Sequence, residues 1–141
     1  KSSIYYFKCY FDRLWKSGDK VEMLLPMPVR FNSAIDAVKA NSNRVAITKG
    51  PLVYCAEGVD NNGPVQNLFI KELTQAGIET TVISEGMLKN VNQISLTGMI
   101  FNNNTVSDQK MKLIPYFAWN NRGDSSMIVW FPTDSNMIEK N

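Results

Sequence analysis

Residues 45–55, Val-Ala-Ile-Thr-Lys-Gly-Pro-Leu-Val-Tyr-Cys, place two short apolar runs on either side of the pair Gly50-Pro51. Glycine and proline adopt the backbone angles of tight turns, whereas β-branched and aromatic residues favour extended strands. We therefore predict a strand, a tight turn and a second strand, which together begin an antiparallel sheet.

Residue types typical of strands and turns continue on the N-terminal side of this hairpin. A strand is predicted at residues 4–11 and a turn at 16–19, after which apolar and charged residues alternate up to Leu25. Pro26 and Pro28 mark an edge or a seam between units, because proline cannot donate to a strand ladder. One or two helical turns are predicted at 34–40.

On the C-terminal side, residues 60–64 are predicted to form a loop, and Asn and Gly pairs mark further turns. Strands are predicted at residues 68–73, 80–83, 94–101, 111–119 and 127–131. About nine short strands with little helix favour an all-β fold, an antiparallel β-sandwich of jelly-roll type.

Composition and charge exclude several classes of protein. The chain has 141 residues, a hydrophobic fraction of 44% and a net charge of +2, which is typical of a folded globular domain and not of a nucleic-acid or membrane-surface protein. No run approaches the roughly 18 apolar residues of a membrane span. The sequence contains no histidine, so Ser-His and Cys-His nucleophile pairs are excluded.

Cysteines and carboxylates offer little chemistry. Cys9 and Cys55 do not make a disulfide framework; buried free thiols are the simpler interpretation, and whether the two pair is left open. Cys55 and Glu57 have too few companion ligands for zinc, so no metal is predicted. We expect Cys55 to point inward, and Glu57, beside the loop at Gly58, can turn to solvent. The other carboxylates are scattered over turns and polar faces.

The aromatic residues suggest either a sugar-stacking platform or core packing. Tyr116 and Trp130 lie in apolar strands, which favours the core. Trp119 precedes two asparagines and Arg122 at a loop, so we expect it to be exposed. Trp119, Asn121 and Arg122 are therefore the candidate contacts for a sugar or a partner domain. The tripeptide at 122–124 spells an integrin-binding motif, but a solvated hairpin loop is the simpler interpretation.

Three blocks in the chain resemble a known family. They are LWKSGDKVE (14–22) running into LPMPVR (25–30), NRVAITKGPLVYCAEG (43–58), and LIPYFAWNNRG (113–123) followed by Met127 and Val129-Trp130. In this order they resemble the C-terminal part of glycoside hydrolase family 127, the bacterial β-L-arabinofuranosidase family.

The resemblance implies a parent enzyme with an (α/α)6 catalytic barrel followed by β-sandwiches. In that family a zinc-bound cysteine thiolate is the nucleophile and a glutamate is the acid/base, all within the barrel. None of these positions maps onto this chain, so the resemblance implies no catalytic residue, metal or cofactor here. It also implies one sandwich unit over 1–141, in which 29–141 is the C-terminal sandwich and 1–28 is the closing hairpin of a preceding one.

The expected function is a non-catalytic accessory domain that braces the barrel of a retaining arabinofuranosidase-like hydrolase and shapes its cleft or a dimer interface. Its partners would be its own N-terminal barrel and a second subunit, with no nucleic acid or membrane. The alternative is an autonomous carbohydrate-binding module for a plant-type oligosaccharide, and a self-sufficient hydrolase is the weakest interpretation. The compartment, periplasm or cytoplasm, stays open, because a targeting segment would lie upstream of Lys1.

Overall fold

Antiparallel strands, seven of two to six residues and two of eleven, build nearly all of the regular structure in the computed structural model, which describes residues 12–138. Helical structure in this range is limited to four 3-10 turns of three residues, and none could cross a membrane. The strands are β1 (Val29–Ser33), β2 (Arg44–Lys49), β3 (Leu52–Glu57), β4 (Leu68–Phe69), β5 (Glu79–Val82), β6 (Asn92–Asn102), β7 (Thr105–Pro115), β8 (Met127–Ile128) and β9 (Trp130–Pro132).

The strands pair in the order β1-β2-β3-β7-β6-β4, and every pairing is antiparallel. β5 pairs with the first half of β6, β8 with the end of β3, and β9 with the start of β2. The backbone N–H of Ile70, which follows β4, donates to the carbonyl of Pro132 in β9 at 2.9 Å. The sheet therefore curls until its far edge meets β9, and the predicted sandwich-like all-β fold is confirmed.

The hairpin around Gly50-Pro51 is also confirmed. Lys49 pairs with Leu52 across the turn, and the strands then diverge. The segment that contains β8 and β9 enters this gap, where Trp130 pairs with Ala46 and Ile128 with Ala56. The start of β2 and the end of β3 thus gain partners from a segment more than seventy residues later in the chain.

Two apolar clusters lie on opposite sides of β3, because successive side chains of a strand alternate in direction. Tyr54 and Ala56 belong to the main core, with buried residues of β2, β4, β6, β7 and β9. Cys55 belongs to the second cluster, with Leu88, Ile114 and Ala118. Cys55 is buried and free, as expected for an inward thiol, whereas Cys9 lies outside the described residues.

Of the elements predicted before residue 29, one is present, one is absent and one lies outside the described residues. The turn at 16–19 is present, with the N–H of Asp19 donating to the carbonyl of Lys16 at 3.1 Å. Residues 20–28 form no strand and are exposed, since they have no pairing partner among residues 12–138. The strand predicted at 4–11 lies outside the described residues, and the assignment of 1–28 to a preceding sandwich stays a prediction.

Strand bounds were predicted less well than strand positions. β1 was missed entirely, and the strand predicted at 68–73 is only Leu68–Phe69, because Ile70 turns to bond β9. The helical turns predicted at 34–40 reduce to one 3-10 turn at Lys39–Asn41. The predicted strand 111–119 ends at Pro115, where a 3-10 turn (Tyr116–Ala118) begins.

Candidate functional site

The aromatic residues after β7 form an outward-facing group. Tyr116 and Trp119 stack with ring centroids 6.3 Å apart and an interplanar angle of 30°. The prediction that Tyr116 belongs to the core is wrong: it is 47% exposed, because the 3-10 turn ends the strand alternation that would have directed it inward. Phe117 is 65% exposed. We call Tyr116, Phe117 and Trp119 the aromatic ridge.

Trp119 and Trp130 are both intermediate in burial. Trp119 packs with one side against the second cluster around Cys55 and Ala118, so it is less exposed than its loop position predicts. Trp130 lies in β9 and is partly exposed, so its assignment to the core holds only in part. Tyr54 is fully within the core, and burial raises the pKa of its hydroxyl.

Arg122 is bound to two carboxylates. Its guanidinium donates to both oxygens of Asp60, at 2.8 and 2.5 Å, and to Oε2 of Glu57 at 2.5 Å. The hydrogen bonds to Asp60 are the main reason that the pKa of Arg122 rises further above its usual range. Its Nε atom is buried and has no hydrogen-bond partner in the described part of the chain. Arg122 is therefore a structural ion-pair residue in this arrangement.

Glu57 is the buried centre of this site. Its side chain has no exposed area, and its Oε1 accepts a hydrogen bond from the backbone N–H of Asn120 at 2.7 Å. The expectation that Glu57 can turn to solvent is wrong, since β8 and the loop after the ridge cover the end of β3. A buried carboxylate is tolerated because both of its oxygens are paired.

These contacts leave no ligand set for a metal at Cys55 and Glu57. Both carboxylate oxygens of Glu57 already accept hydrogen bonds, and the Cys55 thiol lies 3.7 Å from the carbonyl of Ile114. Burial raises the pKa of Cys55 to about 12, with a smaller contribution from Glu57. Since zinc binds the thiolate, a thiol held in its protonated form is a poor ligand.

Asn61 fastens the loop after β3 to the neighbouring strand. This buried side chain donates to the carbonyls of Glu57 and Lys112, at 2.7 and 2.9 Å, and accepts from the N–H of Lys112 at 2.9 Å. It therefore replaces a strand residue at this point of the sheet and satisfies backbone groups of β7.

Two serines join the loop after β3 to the loop before β8. The hydroxyl of Ser125 accepts from the N–H of Val59 at 3.0 Å, and that of Ser126 accepts from the N–H of Val65 at 3.2 Å. The N–H of Gly58 donates to the carbonyl of Ser126 at 2.9 Å. These bonds and the Arg122 ion pairs hold both loops as one unit beneath the aromatic ridge.

Asn121 caps the turn that carries the ridge. Its side-chain amide donates to the carbonyls of Ala118 and Trp119, at 3.1 and 3.4 Å. The structure therefore brings Trp119, Asn121 and Arg122 into one loop, as their sequence spacing requires, but the side-chain NH2 of Asn121 and the terminal nitrogens of Arg122 donate to groups of the domain itself. The outward chemistry of the site is aromatic.

Glu57, Asp60 and Asn61 also belong to this site, although their residue types and spacing did not predict it. One signal was available: the apolar strand from Leu52 to Ala56 ends in a charged residue. A charge that continues a buried strand requires a paired partner. The partner, Arg122, lies 65 residues away and is brought close only by the fold.

The family model described as the glycoside hydrolase family 127 C-terminal domain matches residues 29–132. The chain therefore belongs to glycoside hydrolase family 127, as its C-terminal domain. The matched range begins at the first residue of β1 and ends at the last residue of β9. It contains every residue of the site.

Curated and solved relatives agree with this assignment. A non-reducing end β-L-arabinofuranosidase from Bifidobacterium longum subsp. longum is 28% identical over 130 residues, which cover 81% of this chain and 20% of that protein. The crystal structure of a family 127 β-L-arabinofuranosidase from Geobacillus stearothermophilus T6 is 32% identical with a TM-score of 0.69, covering 76% of this chain and 18% of that one.

The structure of another family 127 β-arabinofuranosidase is 32% identical with a TM-score of 0.71, covering 80% of this chain and 18% of that one. This family 127 domain thus spans about a fifth of the length of the relatives it matches. In those proteins the corresponding domain is joined to a much longer remainder of the chain. The relatives with a stated source are bacterial.

Proposed function

We propose that this family 127 domain is a non-catalytic accessory domain that braces the catalytic barrel of a β-L-arabinofuranosidase-like glycoside hydrolase. One observation carries the proposal: the terminal nitrogens of Arg122 and both carboxylate oxygens of Glu57 are bonded within the domain, while Tyr116 and Phe117 of the ridge are exposed. A contiguous apolar surface on a small domain is characteristic of a protein interface.

The exposed apolar surface extends beyond the aromatic ridge. Tyr54 pairs with Pro115, so Val53 lies beside the start of the turn that carries the ridge. Val53 is 38% exposed and lies on the same face of β3 as Cys55, which belongs to the second cluster, as does Trp119 of the ridge. A surface that continues from β3 onto the ridge suits a broad contact with a folded domain better than a contact with one sugar ring.

The partner in this proposal is the remainder of the domain's own chain, the N-terminal barrel. The relatives are about five times as long as this domain, so in each of them a large part of the same chain is covalently linked to it. The nucleophile, the acid/base and any zinc ion of a retaining mechanism would belong to that barrel. The same surface could instead wall the cleft of the barrel or meet a second subunit.

We also infer that residues 1–28 belong to a preceding sandwich, of which they form the closing hairpin. The family match begins at residue 29, immediately after the Pro26-Met27-Pro28 seam. Within the described part of this segment, apolar side chains such as Leu14, Leu24 and Leu25 are strongly exposed. Contact with a preceding domain would remove them from water.

The test uses the upstream part of the parent protein, ending before residue 29, mixed with the 141-residue chain. Association measured by analytical ultracentrifugation should be saturable, and Phe117→Asp should abolish it by placing a charge in the interface. Ile35→Asp is the matched control, because Ile35 is also strongly exposed (73%) but lies before β2. Equal binding by both variants, or turnover of an aryl arabinofuranoside by the 141-residue chain alone, would overturn the proposal.

The stacked pair of Tyr116 and Trp119 favours a second candidate, an autonomous carbohydrate-binding module. An aromatic ring with one exposed face can stack on a sugar, with Asn121 and Arg122 at its edge. Calorimetric titration with arabino-oligosaccharides distinguishes the two functions. Saturable heat that Trp119→Ala abolishes supports the module, and a flat titration rejects it.

A further inference from the structure

A cavity of about 400 Å³ lies away from the aromatic ridge and is lined by residues of β1, β6, β7 and the segment that follows β4. Phe31 of β1 lines one side, and Leu96 and Thr97 of β6 line another. The segment 71–78, which follows β4, and Asp108 of β7 complete the walls. Its volume falls within the range of about 300–1,000 Å³ that small-molecule sites occupy.

The segment that borders the cavity is fastened to the sheet. The side-chain amide of Gln75 donates to the carbonyl of Val29 at 2.9 Å, which ties the segment to the first residue of β1. The hydroxyl of Thr74 accepts from the N–H of Ala76 at 3.2 Å and stabilises the turn. Because these bonds hold the wall in place, the cavity exists without a ligand to organise it.

The inner part of the cavity is apolar. Leu96 belongs to the main core, and Phe31 and Ile78 are partly buried side chains packed against that core. Leu96 is only 4% exposed, so the apolar surface offered to the cavity comes mainly from Phe31 and Ile78, whose other sides are fixed by packing. A partly exposed aromatic ring held by a core is the element on which the C–H face of a sugar stacks.

The rim of the cavity carries charges of both signs. Lys71, Glu72 and Asp108 line it together with the hydroxyl groups of Thr74 and Thr97. Between residues 12 and 138, none of the three charged side chains forms an ion pair. Their hydrogen-bonding groups are thus available to a ligand.

We propose that this cavity binds a neutral sugar of one or two rings. Hydroxyl groups donate to carboxylates and accept from an ammonium group, so one polyhydroxylated ligand satisfies Lys71, Glu72 and Asp108 at once. The one ammonium and two carboxylate groups sum to a charge of −1, which disfavours an anion and leaves only a weak attraction for a cation. The site is separate from the aromatic ridge and does not depend on the proposed bracing function.

Chemical-shift titration of the ¹⁵N-labelled 141-residue chain with L-arabinose, D-galactose and maltose tests the proposal. We expect at least one of these sugars to cause saturable shifts of the Thr97 and Thr74 amides. Asp108→Ala should weaken binding by about tenfold, since it removes a charged hydrogen-bond acceptor. Asp124→Ala is the matched control, because Asp124 is an exposed carboxylate outside the cavity, and it should leave binding unchanged.

Three results would overturn the proposal. They are no saturable shift at tens of millimolar sugar, equal binding by Asp108→Ala and Asp124→Ala, and saturable shifts at the cavity with spermidine or citrate but with none of the sugars. Loss of sugar binding in Trp119→Ala with retention in Asp108→Ala would place the sugar on the ridge instead. The Phe117→Asp association experiment is unaffected by any of these outcomes.

Discussion

The guanidinium of Arg122 donates to the carboxylate of Glu57 at 2.5 Å, across 65 residues of sequence. Glu57 ends the strand β3, and Arg122 lies in the loop that follows the aromatic ridge. The carboxylate is fully buried, so this contact joins the ridge loop to the interior of the sheet. The position of the outward aromatic residues thus depends on an ion pair beneath them.

Arg122→Met should destabilise the domain by about 3–5 kcal/mol, because Glu57 would remain buried without its charged partner. Urea unfolding followed by tryptophan fluorescence measures the change. Arg13→Met is the control: Arg13 pairs with Asp19 at 3.0 Å but is exposed, and such pairs contribute about 0–1 kcal/mol. The double variant Glu57→Met/Arg122→Met should regain part of the loss. Equal effects of the Arg122 and Arg13 variants would contradict the structural role assigned to Arg122.

Asn61→Ala should lower the free energy of unfolding by at least about 2 kcal/mol, because buried backbone groups of Lys112 and Glu57 would lose their hydrogen-bond partner. Asn67→Ala removes a comparable amide whose hydrogen bond to Asn102 is exposed, and it should cost much less. Thermal unfolding compares the two variants. A larger effect of the Asn67 change would show that Asn61 does not hold the loop to β7.

Cys55 should react very slowly with a thiol reagent at neutral pH, since its pKa is raised to about 12 by burial. The raised pKa also affects stability. The folded state keeps its proton to higher pH than the unfolded state, so this contribution is complete below about pH 9 and is lost as the pH rises towards 12.

The measurement is the free energy of unfolding of the wild-type chain and of Cys55→Ala between pH 8 and 11 in urea. The difference between the two chains should shrink as the pH rises, because the alanine variant lacks this proton. Cys9 is present in both chains, so any contribution from it cancels in the difference. A constant difference, or rapid labelling of Cys55 in the folded chain, would mean that the thiol is not shielded.

Gly98→Ala should destabilise the domain by about 1–3 kcal/mol. A Cβ at this position in β6 would collide with the Met111 side chain and approach the carbonyl of Phe69 to 3.1 Å. The sign of the change in stability is informative, because alanine at a position with enough space would stabilise a strand relative to glycine. Thr97→Ala, a change at the exposed neighbouring position, is the control. A neutral or stabilising Gly98→Ala would show that β6 has room to shift.

Local sequence patterns were sufficient to predict the central hairpin and the positions of most strands. The run from Val45 to Cys55 combines strand formers with a turn pair, and both act over a few residues. β1 was not predicted because Val29-Arg30-Phe31-Asn32-Ser33 follows two prolines and has only two apolar residues. Its strand conformation comes from pairing with β2, which is a non-local contact.

The sequence by itself determined the all-β class, the hairpin at Gly50-Pro51 and the resemblance to family 127, because these follow from side-chain alternation, turn chemistry and motif order. Only the tertiary structure decided that Glu57 is buried, that Arg122 is used internally and that Tyr116 is exposed. Each of these depends on which distant segment covers a side chain. Desolvation and ion pairing act between neighbours in space, and the order of residues along one strand does not specify those neighbours.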